Sequence, residues 1–314
     1  MNKSEIIDSK LLRILACPIC KSYIFEKDGK LTCSNKFCNE EFEIIEGIPV
    51  MLPRQKLEYD MKITKLKWEK VYEKYGDEYY DPNNVPKVIQ ISSSYIEAYM
   101  SSSAKYFLEA GCGTARSSLA TTLKHDNLIV ICLDISLVAL CIAKRLFKEI
   151  NASGFFVCGD LRFLPFKDRS IDFIFSDGAI EHFKETCKSM DEFFRVLKRE
   201  GGVLVTVPHV SISMLTYGSL HGNIPNILVL KQILEFIHTR LLNGKLMKNG
   251  YELSFTVASL KNLMSKFSHV EVGSYQTFHE LNWIRNELLR KIIRKLCKNR
   301  LFCPLIDAFG VKTL

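Results

Sequence analysis

Wholly apolar runs alternate with amphipathic ones along the middle of the chain. Leu128–Leu133 is an unbroken apolar run closed by Asp134. Phe155–Cys158 ends at Gly159-Asp160-Leu161, Ile171–Phe175 runs into Ser176-Asp177-Gly178, and Val203–Val207 follows the turn Gly201-Gly202. Phe107-Leu108 leads into Glu109-Ala110-Gly111-Cys112-Gly113. Between these runs, Arg116–Leu123, Leu137–Ile150 and Met190–Leu197 keep helical spacing, with Ser136 placed to cap the second. Continuous apolar runs suit strands buried on both faces. Their alternation with helices predicts an α/β fold with a doubly wound, mainly parallel sheet. Helix Ser259–Phe267 and strand Val270–Gln276 follow.

The flanks read differently. Residues 54–80 are charged, with interleaved Tyr59, Trp68, Tyr72 and Tyr75 and irregular helical spacing of Leu57, Met61, Ile63, Leu66 and Val71. Asp81-Pro82-Asn83-Asn84 is a loop, and Val88–Met100 reads as a second helix. These helices are expected to pack on the sheet and partly cover a cofactor edge. After Pro208-His209, the apolar-rich run Ile224–Leu242 forms an insertion over residues 208–250, a wall or lid on the substrate side. Tyr217 belongs to that wall, and His209, His221 and Tyr251 are acceptor-side candidates. Leu281, Ile284, Leu288, Ile292 and Leu296 keep helical spacing in the tail, with Arg290, Lys291, Arg294 and Lys298 off that face. The expected division is 1–53, 54–103, 104–280 with its insertion, and 281–314.

The first 53 residues have too small a core to fold by apolar burial alone. Cys17-Pro18-Ile19-Cys20 pairs two thiols across a two-residue gap, and Cys33 and Cys38 form a second pair. Strands Tyr23–Phe25 and Lys30–Thr32 flank the turn Lys27-Asp28-Gly29. Two cysteine turns around a hairpin describe a zinc ribbon with Cys17, Cys20, Cys33 and Cys38 as ligands. A four-thiolate site is closed, so this zinc is structural.

Charge narrows the partners. The net charge is +8, but residues 1–53 carry 7 basic and 8 acidic groups, while residues 281–314 carry 8 and 2. A broad phosphate-binding surface over the body is thereby disfavoured. The excess sits on the tail, where a basic amphipathic helix over 281–300 suits peripheral contact with an anionic membrane or with RNA phosphates. The polar Met1–Lys10, the lack of a run long enough for a transmembrane segment, and eleven cysteines outside a secretory context predict a cytoplasmic chain. Cys112, Cys132, Cys141 and Cys158 read as core.

The glycine turn at 111–113 lets backbone amides approach a ligand, and Asp134 lies 23 residues after Gly111, where nucleotide folds place a ribose-binding carboxylate. A dinucleotide site would want a third glycine at Arg116. The ordered set Glu109-Ala110-Gly111-Cys112-Gly113, Leu133-Asp134-Ile135-Ser136, Gly159-Asp160-Leu161, Leu164-Pro165-Phe166, Ser176–His182 and Leu197-Lys198-x-x-Gly201-Gly202 resembles the class I S-adenosylmethionine-dependent methyltransferases, nearest the type 11 group. Ala115 stands where that group often has a further glycine. The segment Leu11-x-x-Ile14-Leu15-Ala16-Cys17-Pro18-x-Cys20, then the pair Cys33 and Cys38, then Ile44-x-x-Gly47-Ile48-Pro49-Val50-Met51-Leu52, is similar to the zinc ribbons that activate methyltransferases or are fused to them.

The resemblance implies a seven-stranded sheet, S-adenosylmethionine as cofactor and a set of roles. Glu109, Gly111 and Gly113 would surround the methionine part. Asp134 would accept ribose hydroxyls, Asp160 and Leu161 would meet the adenine, and Ser176 would face the sulfonium. His182 is a candidate base or a structural histidine. No Asn-Pro-Pro-Tyr clamp or Pro-Cys nucleophile follows the fourth strand, which lowers the commonest base methylations. The type 11 resemblance and the apolar insertion favour a small molecule or lipid-linked intermediate as the acceptor. Ribosomal or transfer RNA is the alternative, and a non-catalytic activating scaffold comes third.

Overall fold

In the computed structural model the apolar runs become the central strands of one sheet. The structure describes residues 7–53, 59–79, 94–212, 222–242, 245, 247, 250–275, 286–296 and 299–313. Strands β5 (Tyr106–Ala110), β6 (Ile129–Asp134), β7 (Phe155–Cys158), β8 (Ile171–Asp177) and β9 (Leu197–Pro208) are parallel, in the order β7-β6-β5-β8-β9. Phe107, Leu108, Ile131, Leu133 and Ile174 are fully buried, which is why these strands lack polar alternation.

Ahead of them lie α1 (Ser9–Ile14), β1 (Ile24–Lys27), β2 (Lys30–Cys33), β3 (Glu41–Ile45), β4 (Ile48–Val50) and α2 (Tyr59–Tyr79). The crossovers are α3 (Arg116–Thr122), α4 (Leu137–Glu149) and α5 (Thr186–Val196). Ser136 caps α4 by accepting the Ala139 N–H. The substrate side holds β10 (Ile224–Pro225), α6 (Leu228–Glu235), a π-helical stretch Phe236–Leu241 and β11 (Leu253–Ser254). Then come α7 (Val257–Leu263), β12 (Ser268–Tyr275), α8 (Glu287–Leu296) and β13 (Leu305–Val311).

The sheet gains two antiparallel strands beyond β9, first β13 and then β12, which makes the expected seven. One of them corrects the sequence division. Residues 305–311 fall in the segment assigned to the tail, yet β13 pairs along all of its length with β9. Its pattern was obscured by Asp307 and Gly310. Asp307 accepts the Tyr95 hydroxyl, and a Cβ on Gly310 would lie 2.8 Å from the Cβ of Phe267. Both odd residues are thus needed by their neighbours. Of the helix expected over Val88–Met100, 94–97 is helical and the part before 94 lies outside the described residues.

The ribbon is an antiparallel meander, turned at Asp28-Gly29 and Glu46-Gly47, all four residues at positive φ. It does not end where the sheet begins. Val50 of β4 pairs in parallel with Cys158 of β7, and the Met51 N–H donates to the Cys158 carbonyl at 2.7 Å. The two parts therefore form one sheet of eleven strands. A second seam runs along Leu164-Pro165-Phe166. The Ala16 N–H donates to the Pro165 carbonyl at 2.9 Å, and the Lys167 N–H to that of Ile14 at 2.8 Å. Glu192 joins both sides, taking Lys21 at 2.7 Å and the Arg195 guanidinium at 2.7 Å. Leu11, Leu31 and Phe42 share a continuous apolar core with Val157, Leu164 and Phe166.

Candidate active site

The turn after β5 is built by backbone conformations that side chains resist. Gly111, Gly113 and Ala115 have φ of 81°, 51° and 54°. A Cβ on Gly111 would lie 2.3 Å from that of Ala179, so the turn after β8 packs directly on the glycine. The Gly111 and Cys112 amides donate to the Leu133 carbonyl at 2.8 and 3.0 Å. Ala115 occupies the left-handed region at the head of α3, which costs an L-residue roughly 1–2 kcal/mol and accounts for the frequent glycine there.

Asp134, at the end of β6, holds this turn. Its Oδ2 accepts the Gly113 N–H and its Oδ1 the Ser136 N–H, each at 2.8 Å. Glu109 is buried and accepts the Ser118 N–H at 2.7 Å. Burial pushes its carboxyl up to about 8, and burial raises Asp134 and Asp177 as well.

These residues open on a cavity of about 310 Å³ at the carboxyl ends of β5, β6 and β8, the end at which open α/β sheets bind ligands. Of the residues singled out in the sequence, Glu109, Gly111, Gly113, Asp134, Leu161 and His182 line it. Asp160 and Ser176 do not. Asp160 is buried and clasped by Arg162, whose Nη2 donates to Oδ2 at 2.8 Å and whose Nε and backbone N–H donate to Oδ1 at 3.1 and 2.8 Å. The Ser176 hydroxyl donates to the Ala110 carbonyl at 2.8 Å and ties β8 to β5. The strand's alternation gives the cavity to the next residue, Asp177. Asp177 in turn accepts the Thr206 hydroxyl.

The helix expected to cover a cofactor edge lines the cavity, through side chains that had no site role in the sequence reading. Thr64, Trp68 and Tyr72, at i, i+4 and i+8 of α2, all line the cavity. The Trp68 ring stacks on Tyr72 at 5.9 Å and meets His182 edge-on at 5.6 Å. Leu66, one of the apolar positions at irregular helical spacing, is 56% exposed. The aromatic pair four residues apart was the available signal, hidden among charges.

The imidazole of His182 is held from the substrate side. Its Nδ1 lies 2.7 Å from the Tyr251 carbonyl. A carbonyl accepts, so Nδ1 carries the proton and Nε2 is the basic nitrogen. The Tyr251 hydroxyl donates to Glu235 at the end of α6. His209 instead sits buried against the Cys303 carbonyl at 3.1 Å. Tyr217 and His221 lie outside the described residues.

In the ribbon, the Sγ atoms of Cys17, Cys20, Cys33 and Cys38 lie within 4.8 Å of one another, with Cys17–Cys38 at 3.7 Å and Cys20–Cys33 at 3.4 Å. Zinc–sulfur bonds of about 2.3 Å give tetrahedral edges of about 3.8 Å, so the donor set fits one zinc. Burial pushes Cys33 up to about 11. At Cys20 burial is outweighed by hydrogen bonds from Ser22, and the thiol sits at about 6. A cation lets all four ionise.

The cavity's donor set suits a ligand with cationic, hydroxyl-rich and planar parts. Three carboxylates line it, aromatic rings roof it, and left-handed glycines bare the backbone. Residues 108–205 match the family model described as a methyltransferase domain. A malonyl-(acyl-carrier protein) O-methyltransferase of a Marinomonas species is 27% identical over 174 residues, covering 55% of this chain and 61% of that protein. The chain spans a third of a second such enzyme. The UPF0434 protein of Nitrosococcus oceani is 46% identical over 56 residues, covering 17% of this chain and 92% of that protein. Among solved structures, a chain of the complex between the Haloferax volcanii Trm112 methyltransferase activator and a methyltransferase superposes with a TM-score of 0.50 at 14% identity, covering 77% of this chain and 98% of that one.

Proposed function

We propose that this chain, which belongs to the type 11 group of class I S-adenosylmethionine-dependent methyltransferases and carries a zinc ribbon of the methyltransferase-activator family, transfers a methyl group to a small-molecule or lipid-linked acceptor. The observation that carries this reading is the cavity itself, in which Glu109, Asp134 and Asp177 face Trp68, Tyr72 and His182. The bound cofactor supplies a methyl group on a sulfonium, open to in-line displacement.

The residues have separable tasks. Asp134 uses one lone pair of Oδ2 on the Gly113 N–H and one of Oδ1 on the Ser136 N–H, and would accept ribose hydroxyls with the rest. Gly159, Leu161 and Ile135 would bracket the adenine. Asp160, neutralised by Arg162, would act by fixing the turn that presents Leu161. Glu109, Gly111, Gly113 and Asp177 would surround the methionine end, with Ser176 setting the spacing of β5 and β8. Trp68 and Tyr72 would exclude water and offer ring faces to positive charge. His182 Nε2 would take a proton from the acceptor where the acceptor must lose one. Much of the rate would come from alignment.

The choice of a small-molecule or lipid-linked acceptor over RNA is supported by the malonyl-(acyl-carrier protein) O-methyltransferases among the relatives. The UPF0434 match is 56 residues long, close to the length of the ribbon. Here that ribbon already occupies the β7 edge through β4, so we infer that the chain needs no separate activator at that edge.

Methyl-tritium transfer into RNA, protein and lipid fractions of an extract from cells lacking this chain tests the acceptor. Label in lipid or small-molecule fractions is expected. Label confined to RNA would replace this reading with RNA methylation. A chain that fails to bind S-adenosylmethionine would leave a scaffold.

A further inference from the structure

Large apolar side chains are exposed mainly in one region. Of the eighteen recorded as exposed among the described residues, twelve lie between Ile212 and Leu301. On α6 and the π-helical stretch, Leu228, Ile233 and Phe236 are 79%, 51% and 58% exposed, and α6 buries no side chain. On α8, Leu288, Ile292 and Leu296 are 68%, 49% and 46% exposed, one face at four-residue spacing. Exposed apolar area on this scale marks a contact surface.

Topology brings both helices to the ligand end of the sheet. β13 starts opposite the end of β9, with Leu305 paired to Pro208, so α8 precedes it at that end. The Ile212 N–H donates to the Leu301 carbonyl at 2.9 Å. α6 enters from β10, whose partner β11 runs into Phe255, and the Phe255 N–H donates to the Pro208 carbonyl at 2.7 Å. Tyr251 links Glu235 of α6 to His182 in the cavity.

The charge around these faces selects the occupant. α8 carries Arg290, Lys291, Arg294 and Lys295 against one acid, Glu287. Lys291 and Lys295 are exposed and each directly precedes an apolar position, Ile292 and Leu296, so their charges border the apolar face. No helix among the described residues is long and apolar enough to cross a membrane.

We propose that α8, together with α6 and the π-helical stretch, seats the chain on an anionic lipid surface and presents the cavity's acceptor side to it. This rests on the reading of a lipid-linked acceptor. Apolar side chains would enter the headgroup boundary while Lys291 and Lys295 meet lipid phosphates.

The test is sedimentation of the full zinc-loaded chain with vesicles of phosphatidylglycerol mixed with phosphatidylcholine, and with phosphatidylcholine alone. Binding to the first and weak binding to the second are expected. Ile292→Asp combined with Leu296→Asp should weaken binding by about tenfold or more, and Phe236→Asp should weaken it separately. Absence of binding to anionic vesicles would overturn the proposal. So would apolar variants that bind as the parent does, or a dimer whose interface covers α8. S-adenosylmethionine titration on the same samples separates the two claims, because vesicle binding without cofactor binding would refute the enzyme and leave the lipid surface standing.

Discussion

A Cβ on Gly113 would lie 2.6 Å from the hydroxyl oxygen of Tyr72. The glycine turn and the roof helix α2 thus touch, and cofactor binding depends on both. Gly113→Ala should lower S-adenosylmethionine affinity by roughly tenfold or more, from the collision and from a φ of 51°. Tyr72→Phe removes the nearest colliding atom. The double variant should therefore recover part of the loss in a calorimetric cycle. Strict additivity would show that the roof does not close on the turn.

Trp68→Ala should reduce both cofactor affinity and turnover. The ring covers the cavity and packs against His182 at 5.6 Å. A loss of roughly 1–2 kcal/mol in binding corresponds to one open aromatic wall beside a cation. Unchanged binding and turnover would remove α2 from the site.

Most of the sheet was legible because the central strands are buried on both faces and so run apolar without interruption. The turn residues were legible because Gly111 and Gly113 need left-handed backbone. That a helix covers the site was legible too, but the side chains it offers were not. Its cavity face carries Thr64, Trp68 and Tyr72, which a search for aliphatic periodicity passes over. β13 was hidden for the same kind of reason, since Asp307 and Gly310 serve Tyr95 and Phe267 rather than the strand pattern. Spacing also cannot tell Asp160 bound to a ligand from Asp160 bound to Arg162, because the partner is a neighbour in sequence.

Arg162→Met should be strongly destabilising, by about 3–5 kcal/mol, because it strands a buried carboxylate. The paired change with Asp160→Asn should recover much of that stability in urea unfolding. Equal stability of Arg162→Met and parent would mean that the ion pair holds nothing in place.

Removing zinc should affect the whole chain. The ribbon continues the sheet through Val50 and Cys158 and shares its apolar core. Chelation, or Cys20→Ser, should lower the melting temperature of the whole chain by on the order of 10 °C. A ribbon that melts alone, leaving the main transition unmoved, would contradict the shared sheet.

The ligand-free chain should lose stability as pH rises. Glu109 is raised from 4.5 to about 8 by burial, so the folded state binds the proton more tightly than the unfolded state. Stability from this group is full below about 4.5, falls as pH climbs to about 8, and then levels. Burial raises Asp134 and Asp177 in the same direction. Glu109→Gln should flatten the slope of melting temperature against pH over that window. A slope left intact would place the titrating group elsewhere.

The central claim is that the cavity beneath Trp68 holds S-adenosylmethionine. Calorimetric titration of the full zinc-loaded chain with S-adenosylmethionine tests it most directly, run beside Asp134→Ala and Trp68→Ala. One bound cofactor per chain is predicted, with affinity abolished or sharply reduced in Asp134→Ala and weakened in Trp68→Ala. Absence of binding in the parent chain, or binding indifferent to both substitutions, would contradict it.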